Sequence, residues 1–291
     1  MFILGVDFLI RAAKYAGSWY DGSKSRLEKT LNIFFEKDER GPKKKPKVNE
    51  NGPRKIVGII SPHAGYVYSG AIAAHGFAEL AFDGKPDVFI IVGIDHRGYG
   101  SSPASIQTEG GWETPFGIAN INNEISTKIL SNSSKISDSP NSHSAEHSLE
   151  LQVPFIQFIF GEKAEIIPIM ISSGSFSIFQ EVGNAIAEGA KDSNVSLIAS
   201  TDFTHFESAK DAKKQDEKAI DAILKLDEEL LYNTVKDYRI SMCGYGSTST
   251  VIHAAKKLGA NKAKLLKYGN SGEVSGDFQQ VVGYGSLKLE K

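Results

Sequence analysis

The chain has 291 residues, 41% of them hydrophobic, and a formal net charge of −2. That length permits one large domain or two ordinary ones, with a substantial core. The near-neutral balance implies no global pull toward nucleic acid or membrane; no apolar run reaches the roughly 18–20 residues of a membrane-spanning helix; and the single cysteine, Cys243, cannot form an internal disulfide.

The N-terminal "MFILGVDFLIRAAKYAG" is apolar but carries Asp7 and lacks a basic leader, so it reads as part of the fold rather than a signal peptide. A cytoplasmic protein is the expectation. The stretch 36–55, "EKDERGPKKKPKVNENGPRK", is almost devoid of apolar side chains and reads as an exposed, mobile charged loop. Its lysines lack the interleaved aromatics that single-strand nucleic acid binding favours.

After this loop, apolar strands alternate with helical patterns. Strands are expected at "KIVGIIS" (55–61), "DVFIIVG" (87–93), "AEIIPIMIS" (164–172) and "VSLIAS" (195–200), and again at "AKLLKYG" and "VVGYGSLKL" near the end. Helices are expected at 69–80 with Ser69 as N-cap, at 147–160 with Pro154 in its first turn, at 177–190, at 208–226 and at 247–259. Near-continuous apolar strands separated by helices indicate a sheet covered on both faces. The expectation is one α/β domain over 1–291, three layers α/β/α around a largely parallel or mixed sheet.

Three strands end in the same way. "KIVGIIS" runs into "PHAGY", "DVFIIVG" into "IDHRG", and "VSLIAS" into "TDFTH". Parallel strands bring those ends to one edge, where open α/β sheets bind ligands. His63, His96 and His205 then share one crevice. A histidine at a strand end is also a common polar turn residue, but three at the same topological place favour a site. His75 and His253 fall inside helical patterns and read as surface or packing residues. His143, Glu146 and His147 lie at a helix start, where Glu146 and His147 either reach the site or cap the helix. Cys243, in "SMCGYGS" before a helix, tends toward thiolate there and with histidines makes a metal site; a small buried hydrophobe is the competing reading. Trp19 and Trp112 sit in turn-like settings and read as hydrophobic plugs.

Together, "AGSWY", "SPHAGYVYSG", "EHSLELQVPF", "STDFTH" and "CGYGS", in this order, resemble the Memo family, from about Arg11 to near the C-terminus. The family is similar in fold to class III extradiol dioxygenases of the LigB type. The resemblance implies a metal, iron or copper with zinc less favoured, held by His63, His96 and Cys243. It places Asp202 and His205 beside that metal as a catalytic pair and Trp19 on the pocket wall, with Tyr66 of "PHAGY" in the same motif. It implies binding of a small molecule or a phosphotyrosine-type peptide, and for prokaryotic members a functional link to a radical-SAM enzyme. One departure is "GIDH", where the family has Gly-Pro-Ser-His or Gly-Pro-Asn-His: Ile94 replaces the proline, and Asp95 adds a carboxylate that orients His96 or becomes a ligand. The function expected is a metal-dependent oxidoreductase using oxygen. A catalytically idle binding module for a peptide or small anion is the alternative, and zinc hydrolysis a third.

Overall fold

The computed structural model describes residues 10–172 and 174–291. The first half of the N-terminal apolar run lies outside them. The strands are β1 (Ile10–Arg11), β2 (Ile56–Ser61), β3 (Val88–Ile94), β4 (Ala104–Ile106), β5 (Gly111–Thr114), β6 (Gly117–Asn120), β7 (Ile136–Asp138), β8 (Glu165–Ile171), β9 (Val195–Ser200), β10 (His205–Glu207), β11 (Lys262–Asn270) and β12 (Val281–Glu290). The helices are α1 (Lys24–Glu36), α2 (Tyr66–Asp83), α3 (Asn123–Ser131), α4 (Val153–Phe160), α5 (Phe176–Ala190), α6 (Ala209–Leu224), α7 (Glu228–Asp237), α8 (Tyr245–Lys257) and the short α9 (Gly272–Ser275).

The main sheet runs in the order β10-β12-β2-β9-β3-β8-β4-β7, with β11 paired to β12. Its centre is parallel: β2 with β9, β9 with β3, and β3 with β8. It is flanked by antiparallel β12 on one side and antiparallel β4 on the other. The sheet is therefore mixed. A small sheet, β1-β5-β6, lies apart.

Alternate residues of the central strands feed two cores. Ile90 and Val92 of β3 face the side packed by α3, α5, α6, α7 and α8, while Phe89 and Ile91 face α1, α2, α4 and the small sheet. A strand buried on both faces must read as continuously apolar, which is how "VFIIV" reads. These are the three layers expected.

Several local readings differ. α2 begins at Tyr66 with Gly65 as N-cap. Ser69 lies buried inside it, its hydroxyl donating to Ala64 O. The early start works because Trp19 O accepts the Tyr66 N–H at 2.8 Å, satisfying a first-turn donor without a polar cap. The 147–160 helix is a 3₁₀ turn, Glu150–Gln152, followed by α4, with Pro154 in the opening turn. Trp112 lies on strand β5, not in a loop, fully buried with the Arg11 guanidinium 4.3 Å above its ring; it is a plug. The charged segment after α1 is mostly exposed, yet it is tied along α1 and α2: Lys44 N–H donates to Phe35 O, Asn49 N–H to Ala81 O and Arg54 N–H to Asp83 O. The Arg40 guanidinium pairs with Asp38 and donates to Tyr68 O.

Candidate metal site

The parallel centre of the sheet puts the C-terminal ends of β2, β3 and β9 on one edge. Each strand continues there into its motif. His63 follows β2 by two residues, His96 follows β3 by two, and Asp202 follows β9 by two. All three line one cleft of about 1180 Å³, together with His147, His205, Trp19 and Tyr66.

His63 is fully buried. Its backbone N–H donates to Asp202 Oδ1 at 2.8 Å, which fixes the start of the loop after β2. Its Nδ1 lies 2.9 Å from Ser200 Oγ. The Ser200 hydroxyl proton goes to Ser148 O at 2.6 Å, so Ser200 accepts from Nδ1–H and leaves His63 Nε2 bare. That bare nitrogen faces Cys243 Sγ at 3.3 Å. Burial, then the neighbouring His96, hold the His63 pKa well below the ordinary histidine value, so the ring is a neutral donor at pH 7.

His96 is oriented by Glu146. The carboxylate accepts from His96 Nδ1 at 2.8 Å and from the His96 backbone N–H at 2.8 Å. It also accepts from Ser148 N–H at 2.8 Å. Glu146 therefore does both things that the sequence left open: it caps the turn at 148 and reaches the site. Burial opposes its charge, but the His96 hydrogen bond and its charge outweigh that and hold the carboxyl down at about 2.

Asp95 takes a different place. Its carboxylate accepts the backbone N–H groups of Arg97, Tyr99 and Gly100, shaping the turn after His96. It neither orients the imidazole nor joins the cleft lining. Two carboxylates lay within reach of His96, and the one adjacent in sequence is spent on the local turn. Ile94 extends β3 by one residue, and its N–H and C=O both bond Ser148 Oγ at 3.2 Å. A proline there lacks that donor.

His147 joins the cluster more closely than its helix-start position suggested. Donor atoms of His63, His96 and His147 lie within 4.8 Å of one another. Trp19 packs on His147 with ring centroids 4.4 Å apart, and Tyr66 closes the wall behind, its hydroxyl donating to Leu151 O. Trp19 is thus a pocket wall and not a plug. Burial, then His63, push the His147 pKa down to about 3.

Cys243 precedes α8, where the helix dipole favours thiolate. In the metal-free protein that pull is outweighed: burial, then the Asp202 carboxylate, push the thiol pKa up. The glycines around it are steric. A Cβ on Gly244 would stand 2.5 Å from Ser200 O, so only glycine lets this loop close onto β9 and carry Cys243 to His63.

His205 lines the same cleft, but Asp202 does not orient it. The His205 Nδ1 pairs with Ser241 O at 2.9 Å and its backbone N–H with Ser241 Oγ at 2.8 Å. Asp202 is committed to His63, and burial pushes its carboxyl up. Of the other histidines, His143 is fully buried against Trp112, His75 bonds Arg40 O, and His253 bonds Glu228 and Asn184.

The model of the family described as Memo-like protein matches residues 11–288. The chain belongs to the Memo family. A MEMO1 family protein of Methanopyrus kandleri is 40% identical over 283 residues, covering 97% of this chain and 99% of that protein. One of Nitrosopumilus maritimus is 41% identical over 281 residues, covering 97% and 100%, and one of Thermotoga neapolitana is 41% identical over 283 residues, again covering 97% and 100%. Among the described residues no helix is long and apolar enough to cross a membrane.

The donor set of this Memo-family cleft suits a borderline transition metal. The structure groups the donors of His63, His96 and His147, while Cys243 meets His63 alone of the three, behind the residues that line the cleft; imidazoles with a neighbouring thiol favour iron, copper or zinc over magnesium or calcium. The two donors furthest apart in sequence also fit one ion: nitrogen and sulfur bound at roughly 2.0–2.1 and 2.3 Å stand roughly 3.5 Å apart, against 3.3 Å between His63 Nε2 and Cys243 Sγ.

Proposed function

We propose that this protein is a metal-dependent oxidoreductase that uses dioxygen on an organic substrate bound in the cleft, with iron or copper held by His63, His96 and Cys243. The observation that carries this reading is the meeting of His63 Nε2 and Cys243 Sγ at 3.3 Å, with the His96 ring 5.2 Å from that of His63 and both histidines lining the cleft. The metal, when bound, supplies the redox chemistry that dioxygen activation requires.

The chain's own residues do the rest. Ser200 and Glu146 hold the two imidazoles in the tautomer that leaves Nε2 free. The Asp202 carboxylate pins the His63 backbone. Ser241 fixes His205 through Nδ1, which leaves its Nε2 to accept or return a substrate proton. Trp19 and Tyr66 supply aromatic wall to the cleft.

The test is metal content after anaerobic purification, followed by oxygen uptake with added reductant. Bound iron or copper and oxygen uptake that disappear together in His63→Ala support the reading. Tight zinc with no uptake, or no metal at all, contradicts it.

A further inference from the structure

We infer that His147 is a third imidazole ligand of this centre, beside His63 and His96, so that three nitrogens hold the metal and Cys243 reaches it from the side of His63. The inference rests on the metal-centre reading above and adds a donor to it. Three observations carry it.

The first is position. The donor atoms of His147, His63 and His96 come within 4.8 Å of one another, and two imidazole nitrogens on one tetrahedral ion stand roughly 3.4 Å apart. The second is the tautomer. Glu146 Oε1 lies 2.8 Å from His96 Nδ1 and 3.4 Å from His147 Nδ1. The buried carboxylate therefore fixes His96 with Nε2 bare and stands nearest to the Nδ1 of His147 as well, placed to take that proton when the ring turns toward a metal, which is how carboxylates prepare histidine ligands. The third is confinement. His147 is only 8% exposed, and Trp19 on one side and His96 on the other, at centroid distances of 4.4 and 4.2 Å, hold its ring in the cluster. A buried imidazole with no hydrogen-bond partner at Nδ1 within bonding distance is costly unless it serves a further purpose.

Three imidazoles and a thiolate close a tetrahedral zinc ion, whereas a five- or six-coordinate iron keeps one or two positions open. The donor count therefore bears on which metal leaves the site reactive.

The experiment titrates the metal-free protein anaerobically with cobalt(II) and counts donors by extended X-ray absorption fine structure. The expected result for the unaltered protein is one equivalent with three imidazoles and one sulfur. For His147→Phe it is two imidazoles, the sulfur retained, and affinity lower by more than the roughly 10–100-fold that follows loss of an outer carboxylate; Glu146→Gln gives that smaller loss. His147→Asn repeats the measurement with a smaller side chain that folds in a tighter space. If His147→Phe and His147→Asn bind cobalt with unchanged affinity and donor count while His63→Ala loses it, His147 is an aromatic wall: the inference falls and the metal-centre reading stands. If the unaltered protein binds no cobalt, both fall.

Discussion

Cys243 Sγ sits 3.3 Å from His63 Nε2, across 180 residues of chain. The same sulfur accepts the Asp202 backbone N–H at 3.3 Å, and Asp202 Oδ1 accepts the His63 N–H at 2.8 Å. Asp202 thus joins the loops after β2 and β9 and the approach to α8 into one unit.

That unit predicts the reactivity of the thiol. In metal-free protein, burial and the Asp202 carboxylate push its pKa up, so Cys243 should alkylate with iodoacetamide at pH 7.5 far more slowly than a free thiol of pKa about 8.5. Asp202→Asn removes the charge and keeps an oxygen for the His63 N–H, so alkylation should speed up several-fold. An equal or slower rate in that variant would show that the carboxylate does not set the thiol's state.

Buried neutral histidines predict the pH dependence of stability. His143 and His147 have pKa values pushed down to about 3, and His63 lies well below its ordinary value, each chiefly by burial. Unfolded, each titrates near 6.5. Between about 6.5 and 3 the unfolded chain therefore binds more protons, so the stabilisation is full above 6.5 and is lost as pH falls. The slope approaches about 1.4 kcal/mol per pH unit for each histidine. Below about 4.5, Glu146 and Glu228, both held near 2, add loss of the same sign. Asp202 and Asp216, pushed up by burial, oppose it. Urea unfolding of metal-free protein should show a midpoint that drops from pH 7 to pH 5 and drops less in His143→Leu. A flat profile would contradict the burial of these rings.

The segment between α1 and β2 should contribute to stability. A Cβ on Gly41 would stand 1.8 Å from Phe34 O, on the last turn of α1. Gly41→Ala must move the loop and weaken the Lys44 N–H to Phe35 O bond of 2.7 Å. Overpacking of this kind costs about 1–3 kcal/mol, or a fall in Tm of several degrees at this size. The exposed Lys47→Ala in the same loop should shift stability by no more than about 0.5 kcal/mol. Equal melting of both variants would mean a segment free of α1.

Most of the fold was legible because the central strands are apolar on both faces. "VSLIAS" is β9 from end to end, and the ends of β2 and β3 fall within a residue of expectation. The short strands β4 to β7 and β10, and helices α3 and α7, carry too few apolar positions to set a period against the surrounding polar residues; α1 was missed although Leu27, Leu31, Phe34 and Phe35 recur at helical spacing. In the site, strand-end placement alone put His63, His96 and His205 on one cleft. It could not choose between Asp95 and Glu146 for His96, since that depends on the chain returning 50 residues later to Glu146. Nor could it show that Ser241, and not Asp202, holds His205. The signal available for Glu146 and His147 was the "EHSLELQ" stretch itself, two chemically able side chains at the mouth of a helix that begins late.

The central claim is that His63, His96 and Cys243 bind one transition metal, and anomalous diffraction from crystals soaked anaerobically with iron(II) or copper(I) tests it most directly. A single strong peak is expected between His63 and His96, roughly 2.0–2.1 Å from His63 Nε2 and His96 Nε2 and about 2.3 Å from Cys243 Sγ. A fully loaded protein with no peak there, or with its peak at another cluster of side chains, would contradict it.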